Sequence, residues 1–223
     1  MILTNEMGVH LEQSNASDLL VARAAWVSNF GSDAREKDGE RVAGLIRYLY
    51  RNQHMSPFEH GDFTFFIDCP IFVAREFMRH RTFRFNEVSG RYKELEPKFY
   101  LPSEARPLVQ TGKVGAYTFE EGSNKQKRKV QKWHKRVYRI AWFGYKAMTK
   151  CGVANEVARN ILPVGTYTQF YASVNPRNLM HFISLRSDPT ALEEIRVVAE
   201  AMELILASEM PLTHAAFREN IKE

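Results

Sequence analysis

The residues most able to do chemistry lie between Arg79 and Tyr92. This segment holds four arginines, one histidine and several small hydrogen-bonding residues, in the order RHRTFRFNEVSGRY. Arginine presents a planar fork of N–H donors that suits phosphate and carbonyl-rich rings. Ser89 and Gly90 let the backbone approach an anion closely. The segment therefore fits a phosphorylated ligand, and the alternative is a solvated basic loop with internal ion pairs.

Size and composition describe an ordinary globular protein. The chain has 223 residues, of which 44% are hydrophobic and 26% charged, and its formal net charge is +5. This charge favours anionic ligands without separating metabolites from nucleic acid. No apolar run approaches the roughly 20 residues of a membrane span, and no secretory signal is visible. Cys69 and Cys151 lack metal-like spacing, so we expect free thiols in a reducing cytoplasm.

Helical periodicity dominates the chain. Capping residues before Asp18 and the apolar stripe from Val42 to Tyr50 are typical of core-facing helices. A second stripe, which includes Trp133 and Val137, predicts that this face of a long helix packs inward. The predicted helices cover residues 18–29, 36–52, 71–81, 124–150, 155–162, 177–185 and 190–208.

Two segments have the pattern of strands. Alternation places Phe63, Phe65, Ile67 and Cys69 on one face of a strand over residues 62–69. Residues 166–174 are β-branched and aromatic, and residues 83–115 indicate irregular or extended chain. The pattern predicts an α+β fold, predominantly helical, with a central antiparallel or mixed sheet. We expect residues 1–223 to form a single domain.

The arginine-rich segment resembles the signature of the flavin-dependent thymidylate synthases. In this signature Arg-His-Arg is followed after seven residues by Ser-Gly-Arg-Tyr, as it is here from Arg79. Upstream, His54–His60 resembles the His-x-Ser/Thr-Pro-Phe-Glu-His segment of that family. The resemblance extends from about Ala24 to Ile195, with further matching motifs in the expected order at Pro70–Arg75, Glu156–Arg159, Leu162–Pro163, Asn175–Arg177 and Leu185–Arg186.

This resemblance implies a reaction and a fold. Members of the family transfer a methylene group from 5,10-methylene-tetrahydrofolate to carbon 5 of dUMP, with FAD as cofactor and NADPH as reductant. They use no enzyme cysteine as nucleophile, which agrees with the positions of Cys69 and Cys151 outside any pocket-like motif. The resemblance also implies the family's own α+β fold, and a homotetramer whose active sites are shared between subunits.

The resemblance assigns residues to the nucleotide and to the flavin. Ser89 and Arg186 are implied to be catalytic, Ser89 by receiving the phosphate and Arg186 by polarising the uracil ring. The residues implied to bind dUMP are Glu76, Arg79, Glu87, Val88, Ser89, Gly90, Arg91, Arg159 and Arg186. The residues implied to bind FAD are Ser28, His54, Ser56, Glu59, Arg79, His80, Arg81, Glu87, Asn175, Arg177 and His181.

Three positions depart from the pattern of the family. Glu76 stands where many members have glutamine, which changes the hydrogen bonds available to dUMP. Thr190 stands where a flavin-stacking histidine is common. Trp26 replaces an arginine that precedes the Val-Ser pair in many relatives.

Other functions compete with this interpretation. The run Lys125–Lys129 with Lys132 and Lys135 is compatible with nucleic-acid binding, but lysines on an amphipathic helix are usually solvated, so we expect neither nucleic acid nor a membrane as partner. A metal hydrolase could gather its ligands from His54, Glu59, His60 and His80, but their spacing is not that of a zinc helix motif and we expect no metal. A flavoprotein reductase that does not methylate dUMP is the third alternative.

Overall fold

The computed structural model describes residues 1–35, 39, 41–113 and 116–220. Strands and helices alternate irregularly along these residues. Their order is β1 (Ile2–Thr4), β2 (Gly8–Ser14), α1 (Asp18–Phe30), α2 (Val42–Arg51), β3 (Phe63–Pro70), α3 (Ile71–Phe77), β4 (Arg84–Glu87), β5 (Lys98–Tyr100), β6 (Val109–Lys113), β7 (Ala116–Glu120), α4 (Asn124–Lys150), α5 (Asn155–Ala158), β8 (Tyr167–Val174), α6 (Pro176–Arg186), α7 (Glu193–Glu209) and α8 (Pro211–Asn220).

The strands form one larger sheet and two small ones. The four-stranded sheet has the order β2-β3-β8-β4. Strand β1 pairs in parallel with β5, with Ile2 opposite Lys98, and β6 pairs antiparallel with β7, with Val109 opposite Glu120. Alternate residues of β3, beginning with Phe63, are buried as the sequence predicts. The α+β class with a predominance of helix is confirmed.

The chain divides into two compact units that are interleaved in sequence. Unit 1 contains residues 1–7, 68–77 and 87–170, and unit 2 contains residues 8–67, 78–86 and 171–223. The expectation of a single domain stays a prediction.

Unit 1 is organised by the long helix α4. Its Tyr138 hydroxyl donates to the backbone carbonyl of Tyr100 at 2.8 Å, and the Phe99 ring stacks on Tyr138 with centroids 4.7 Å apart. Tyr145 is fully buried, and its hydroxyl accepts the Leu95 backbone N–H at 3.1 Å. A side chain at Gly165 would place its Cβ only 2.3 Å from the Tyr138 hydroxyl, so only glycine fits there.

The predicted inward face of α4 is wrong in part. Trp133 is 53% exposed and Val137 is 46% exposed, whereas Tyr138 and Tyr145 are the buried residues of this helix. The face of α4 that packs against the rest of unit 1 is therefore the one with Tyr138 and Tyr145, seven residues apart, and not the predicted apolar stripe. These tyrosines have hydroxyl groups that reach backbone partners, so they can be buried without leaving a polar group unpaired.

Unit 2 is a helical cluster joined by one long-range cap. Ser17 caps α1 and accepts the Leu20 backbone N–H at 3.1 Å, as its position before the helix predicts. The neighbouring Asp18 carboxylate accepts the backbone N–H groups of Leu212 and Thr213, each at 2.9 Å, and the Thr213 hydroxyl at 2.7 Å. Asp18 therefore ties the first turn of α8 to the start of α1.

The capped helices agree with the sequence prediction. Helix α1 and helix α4 have the predicted extents within one residue. Ser123 and Gln126 form a capping box at the start of α4, and Gly152 follows the last turn in the left-handed conformation, with φ +84°.

Several other boundaries were predicted incorrectly. Helix α3 ends at Phe77 instead of residue 81, so Arg79 and Arg81 lie in a turn. Pro70 is the last residue of β3 and directly precedes α3, which begins at Ile71 as predicted. Helix α7 begins at Glu193, three residues late, because Asp188 caps a local turn at Thr190 and not the helix.

Some segments were not predicted or cannot be compared. The start predicted for α2 falls on residues 36–38 and 40, which lie outside the described residues, as do positions 114 and 115 at the end of the segment predicted to be irregular or extended. Strands β1 and β2 and helix α8 were not predicted, and β6 and β7 form a hairpin in that segment and just after it.

We expect the cap on α8 to contribute measurably to stability. Asp18→Ala removes three hydrogen bonds at the start of α8, and it should lower the free energy of unfolding by about 1–2 kcal/mol. Asp18→Asn keeps one acceptor oxygen and should lower the free energy of unfolding by a smaller amount. Urea unfolding of the three proteins measures the difference, and equal midpoints for wild type and Asp18→Ala would contradict this role.

Candidate active site

The arginine-rich segment leaves α3 through a turn and becomes strand β4. The turn closes where the Phe83 backbone N–H donates to the His80 carbonyl at 3.1 Å. Arg79 and Arg81 are exposed in this turn, and Arg84 begins β4. Residues up to 86 belong to unit 2, and Glu87 and the residues after it belong to unit 1. The residues of the candidate site are therefore described for each unit separately.

In unit 1 the residues Glu87–Arg91 form a tight loop, here called the nucleotide loop. The Val88 backbone N–H donates to the Gln169 carbonyl at 2.9 Å, which fixes the loop to β8. The Ser89 carbonyl accepts the backbone N–H of Tyr92 at 3.1 Å, and the Ser89 hydroxyl accepts that of Arg91 at 3.3 Å. These bonds fold the chain back on itself and keep Ser89 at the turn.

Gly90 brings the nucleotide loop against Arg159. A Cβ at Gly90 would lie 3.2 Å from the Arg159 Cδ and 3.3 Å from the Leu95 side chain. The absence of a side chain therefore permits the close approach of Arg159, which sequence analysis assigned to the same ligand. Arg91 pairs with Glu156 at 2.9 Å, and both side chains are about half exposed. Such an exposed pair contributes little to stability, so Arg91 can be shared with an anion.

Glu87 is anchored from strand β8. Its Oε1 accepts the hydroxyl of Thr168 at 2.5 Å. Thr168 is buried, with 5% of its surface exposed, whereas Glu87 is exposed. Glu76, the remaining predicted nucleotide residue of unit 1, lies half-buried in the last turn of α3.

In unit 2 the structure joins His80 to Arg186. The Arg186 Nε donates to the His80 Nε2 at 2.9 Å, so this nitrogen has to be the unprotonated one. The His80 ring also packs edge-on against Phe182 with centroids 4.8 Å apart, and the His181 ring lies 6.4 Å away. Three predicted site residues, His80, His181 and Arg186, are thus brought together.

Helix α6 positions the remaining flavin candidates of this unit. Asn175 caps the helix by accepting the Asn178 backbone N–H at 2.9 Å, and Pro176 occupies its first turn. Arg177 then pairs with Glu59. An open cavity of about 660 Å³ is lined by Arg177 and His181, with Tyr50, Gln53, Thr82 and Asn178 among its other residues.

The other predicted flavin residues lie at exposed positions of unit 2. Ser28 is on the last turns of α1, and Ser56 begins a short helical turn that ends at Glu59. The His54 ring packs edge-on against Tyr48 with centroids 5.8 Å apart. Gln53 precedes it with φ +57°, a conformation uncommon for a residue with a side chain.

The buried Cys69 is not suited to attack a substrate. Cys69 is buried in β3, and burial raises the pKa of its thiol well above the ordinary range, with the neighbouring Asp68 and Glu87 charges acting in the same direction. Cys151 is an exposed residue that caps the end of α4. Since the thiolate is the nucleophile, the buried Cys69 is chemically inert at neutral pH.

The described residues contain neither a candidate metal cluster nor a membrane-spanning helix. Within these residues no three or more His, Cys, Asp and Glu side chains are grouped so that they could hold a metal ion. None of the described helices combines the length and apolarity needed to cross a membrane.

Sequence analysis missed several residues of these sites, among them Tyr50, Gln53 and Thr168. Tyr50 and Gln53 line the cavity of unit 2, and nothing in their local pattern indicated this. Thr168 contacts Glu87 from a strand that was predicted correctly. Thr168 alternates along β8 with the buried residues Phe170, Ala172 and Val174, which indicates that it is buried too. Because a buried hydroxyl needs a hydrogen-bond partner, this pattern could have indicated a contact of this kind.

Comparison with known proteins identifies the family. The model of the family described as thymidylate synthase complementing protein matches residues 10–212. Flavin-dependent thymidylate synthases of Streptomyces avermitilis and Tropheryma whipplei are 48% and 44% identical to this chain, each over 97% of it and over 92% and 94% of their own lengths.

A solved structure is similar throughout. The UMP/dUMP methylase PolB from Streptomyces cacaoi, bound with 5-Br dUMP, has 44% sequence identity and a TM-score of 0.92, with 98% of this chain and 97% of that chain covered. A family match over most of the chain, together with relatives of this identity along nearly its whole length, leaves one assignment: the chain belongs to the flavin-dependent thymidylate synthase family.

Proposed function

We propose that this protein converts dUMP to dTMP, with FAD as bound cofactor, 5,10-methylene-tetrahydrofolate as carbon donor and NADPH as reductant. The observation that carries the proposal is the near-complete match to flavin-dependent thymidylate synthases at up to 48% identity. The nucleotide loop and the unit 2 cluster supply residues of the types that this reaction needs. Its fold is then the fold of that family.

The nucleotide loop is suited to the phosphate of dUMP. Ser89 and the backbone of Gly90 offer hydrogen bonds at a tight turn, and Arg91 and Arg159 supply positive charge beside it. Binding of a phosphate would compete with Glu156 for Arg91. Glu87 and Val88 would meet the nucleoside, and Arg79 and Glu76 would complete the dUMP site.

Arg186 is the residue that we assign to activation of the uracil ring. A cation fixed beside a uracil carbonyl stabilises negative charge that develops on the ring during attack. The hydrogen bond to His80 holds the guanidinium in one orientation, so that less ordering is needed when the nucleotide binds.

The residues of unit 2 fit a flavin. The cavity of about 660 Å³ has an arginine, a histidine and several hydrogen-bonding side chains on its walls, and it has the size of a cofactor site. Bound FAD would supply the hydride that the methyl group requires. We assign its binding to Ser28, His54, Ser56, Glu59, Arg79, His80, Arg81, Glu87, Asn175, Arg177 and His181.

We also propose a homotetramer with shared active sites, in the cytoplasm. An exposed apolar surface on α4 supports the assembly. It consists of four side chains that are each between 46% and 77% exposed in the single chain, namely Trp133, Val137, Ile140 and Phe143. Surfaces of this kind are usually covered by another chain. The two free cysteines fit a reducing compartment.

UMP is a second candidate substrate. The related PolB is named a UMP/dUMP methylase, and its solved structures contain 5-Br dUMP in one case and 5-Br UMP in the other. At 44% identity, this relative is as similar to our chain as several thymidylate synthases are.

The first test is product formation with each component omitted in turn. We expect dTMP from dUMP only when FAD, NADPH and methylene-tetrahydrofolate are all present, because the folate supplies the methylene carbon and NADPH supplies, through FAD, the hydride that completes the methyl group. Replacement of dUMP with UMP in the same assay measures the second activity. NADPH oxidation without any methylated product would contradict the proposal and favour a reductase.

We expect turnover to depend on the hydrogen bond between Arg186 and His80. His80→Ala removes the acceptor of the Arg186 Nε, so the guanidinium is held less firmly and kcat for dTMP formation should fall about tenfold. His80→Gln keeps a hydrogen-bond acceptor in the side chain and should retain more of the turnover. Steady-state kinetics of the three proteins measures this, and equal kcat values in wild type and His80→Ala would contradict the role of His80.

The departure at Glu76 also gives a prediction. Glutamine offers both a donor and an acceptor to the uracil edge, whereas a carboxylate only accepts. Glu76→Gln should therefore lower the KM for dUMP several-fold, by about 1 kcal/mol of hydrogen bonding. Steady-state kinetics with dUMP as the varied substrate measures this, and a higher KM would show that the carboxylate has its own function.

A further inference from the structure

We propose that Thr168 is a positioning residue for nucleotide binding, which acts by fixing the carboxylate of Glu87. The inference rests on the proposed function, since Glu87 is assigned to dUMP through the family. Thr168 belongs to none of the motifs that identify the family. It is instead identified by its contact, in which the buried hydroxyl donates to the Glu87 Oε1 at 2.5 Å.

The contact joins a rigid group to a mobile one. Thr168 lies on β8 with 5% of its surface exposed, whereas Glu87 is an exposed residue at the end of β4. An exposed glutamate samples many rotamers, and that freedom is lost when the side chain binds a ligand. A hydrogen bond from a buried strand removes this freedom beforehand, so the nucleotide meets a carboxylate that is already oriented.

A second bond from the same strand fixes the backbone beside Glu87. The Val88 N–H donates to the carbonyl of Gln169, the residue after Thr168, at 2.9 Å. The start of the nucleotide loop is thus held twice by neighbouring residues of β8, once through a side chain and once through the backbone. A shift of Glu87 would require both bonds to break.

The chemistry of the donor preserves the function of the acceptor. A threonine hydroxyl donates one hydrogen bond and carries no charge, so Glu87 keeps its negative charge and its Oε2 for a ligand. The cavity beside Val88 and Thr168 has a volume of about 30 Å³, which accommodates a water molecule but not a nucleotide. The ligand therefore has to approach Glu87 from its exposed side.

Thr166 provides a matched control on the same segment. Like Thr168 it is a buried threonine, but its hydroxyl donates to the Pro163 carbonyl at 2.7 Å and has no bond to the nucleotide loop. Thr166→Val and Thr168→Val each delete one buried hydroxyl and keep the shape of the side chain. The two variants should be destabilised to a similar extent, so any difference in nucleotide binding reflects the bond to Glu87.

The experiment compares these variants as FAD-loaded enzymes. We expect Thr168→Val to raise the Kd and the KM for dUMP about tenfold, as loss of one hydrogen bond to a charged group does, with kcat changed less than KM. Thr168→Ser keeps the hydroxyl and should stay within about threefold of wild type. Thr166→Val should leave the KM for dUMP unchanged.

A double-mutant cycle provides the second measurement. If Thr168 acts through Glu87, Thr168→Val should have no further effect on dUMP affinity in a Glu87→Ala background. Additive effects, or equal KM values in Thr168→Val and Thr166→Val, would overturn the inference. A wild-type enzyme that fails to bind dUMP would overturn the proposed function as well, whereas wild-type binding with an unaffected Thr168→Val variant would overturn the inference alone.

Discussion

Strand β8 is buried along most of its length, so each polar group on it needs a partner within the protein. Thr168 satisfies its hydroxyl on Glu87, and the Gln169 carbonyl is satisfied by Val88. The strand ends at Val174, and the next residue, Asn175, caps the helix that carries Arg177 and Arg186. The requirement to pair buried polar groups thus fixes the nucleotide loop to β8.

Three arginines of the arginine-rich segment and of α6 are each paired with a carboxylate. Arg91 pairs with Glu156, Arg177 with Glu59, and Arg84 with Asp62. These pairs are exposed and therefore weak, and salt screens them further. When an anionic ligand binds, the arginine exchanges its carboxylate partner for the ligand. The number of charge pairs then changes little, so selectivity depends on how well the shape of the ligand matches the arginine. Arg186 differs in that one of its partners is an imidazole, since its Nε donates to the His80 Nε2.

Sequence predicted the parts of the fold that depend on local signals. The capping residues Ser17, Ser123 and Asn175 each begin the helix that was expected, and the alternation of β3 was correct. The motif residues of the loop and of α6 were also found. The sequence pattern did not predict features that depend on residues far apart in the chain. One example is the buried face of α4, which is determined in part by the hydrogen bond from Tyr138 to the Tyr100 carbonyl. The pattern could not find Thr168 either, because its partner is 81 residues away.

The Asp18 cap has a consequence for the order of folding during synthesis. The Asp18 carboxylate accepts hydrogen bonds from the backbone of Leu212 and Thr213, which lie 194 and 195 residues later in the chain. Unit 2 is also assembled from three separate stretches, the last of which begins at residue 171. A ribosome must therefore have released the chain beyond residue 213 before this unit can close, and the first turn of α8 gains its cap only then. A stall of translation before residue 213 would leave the helical cluster open.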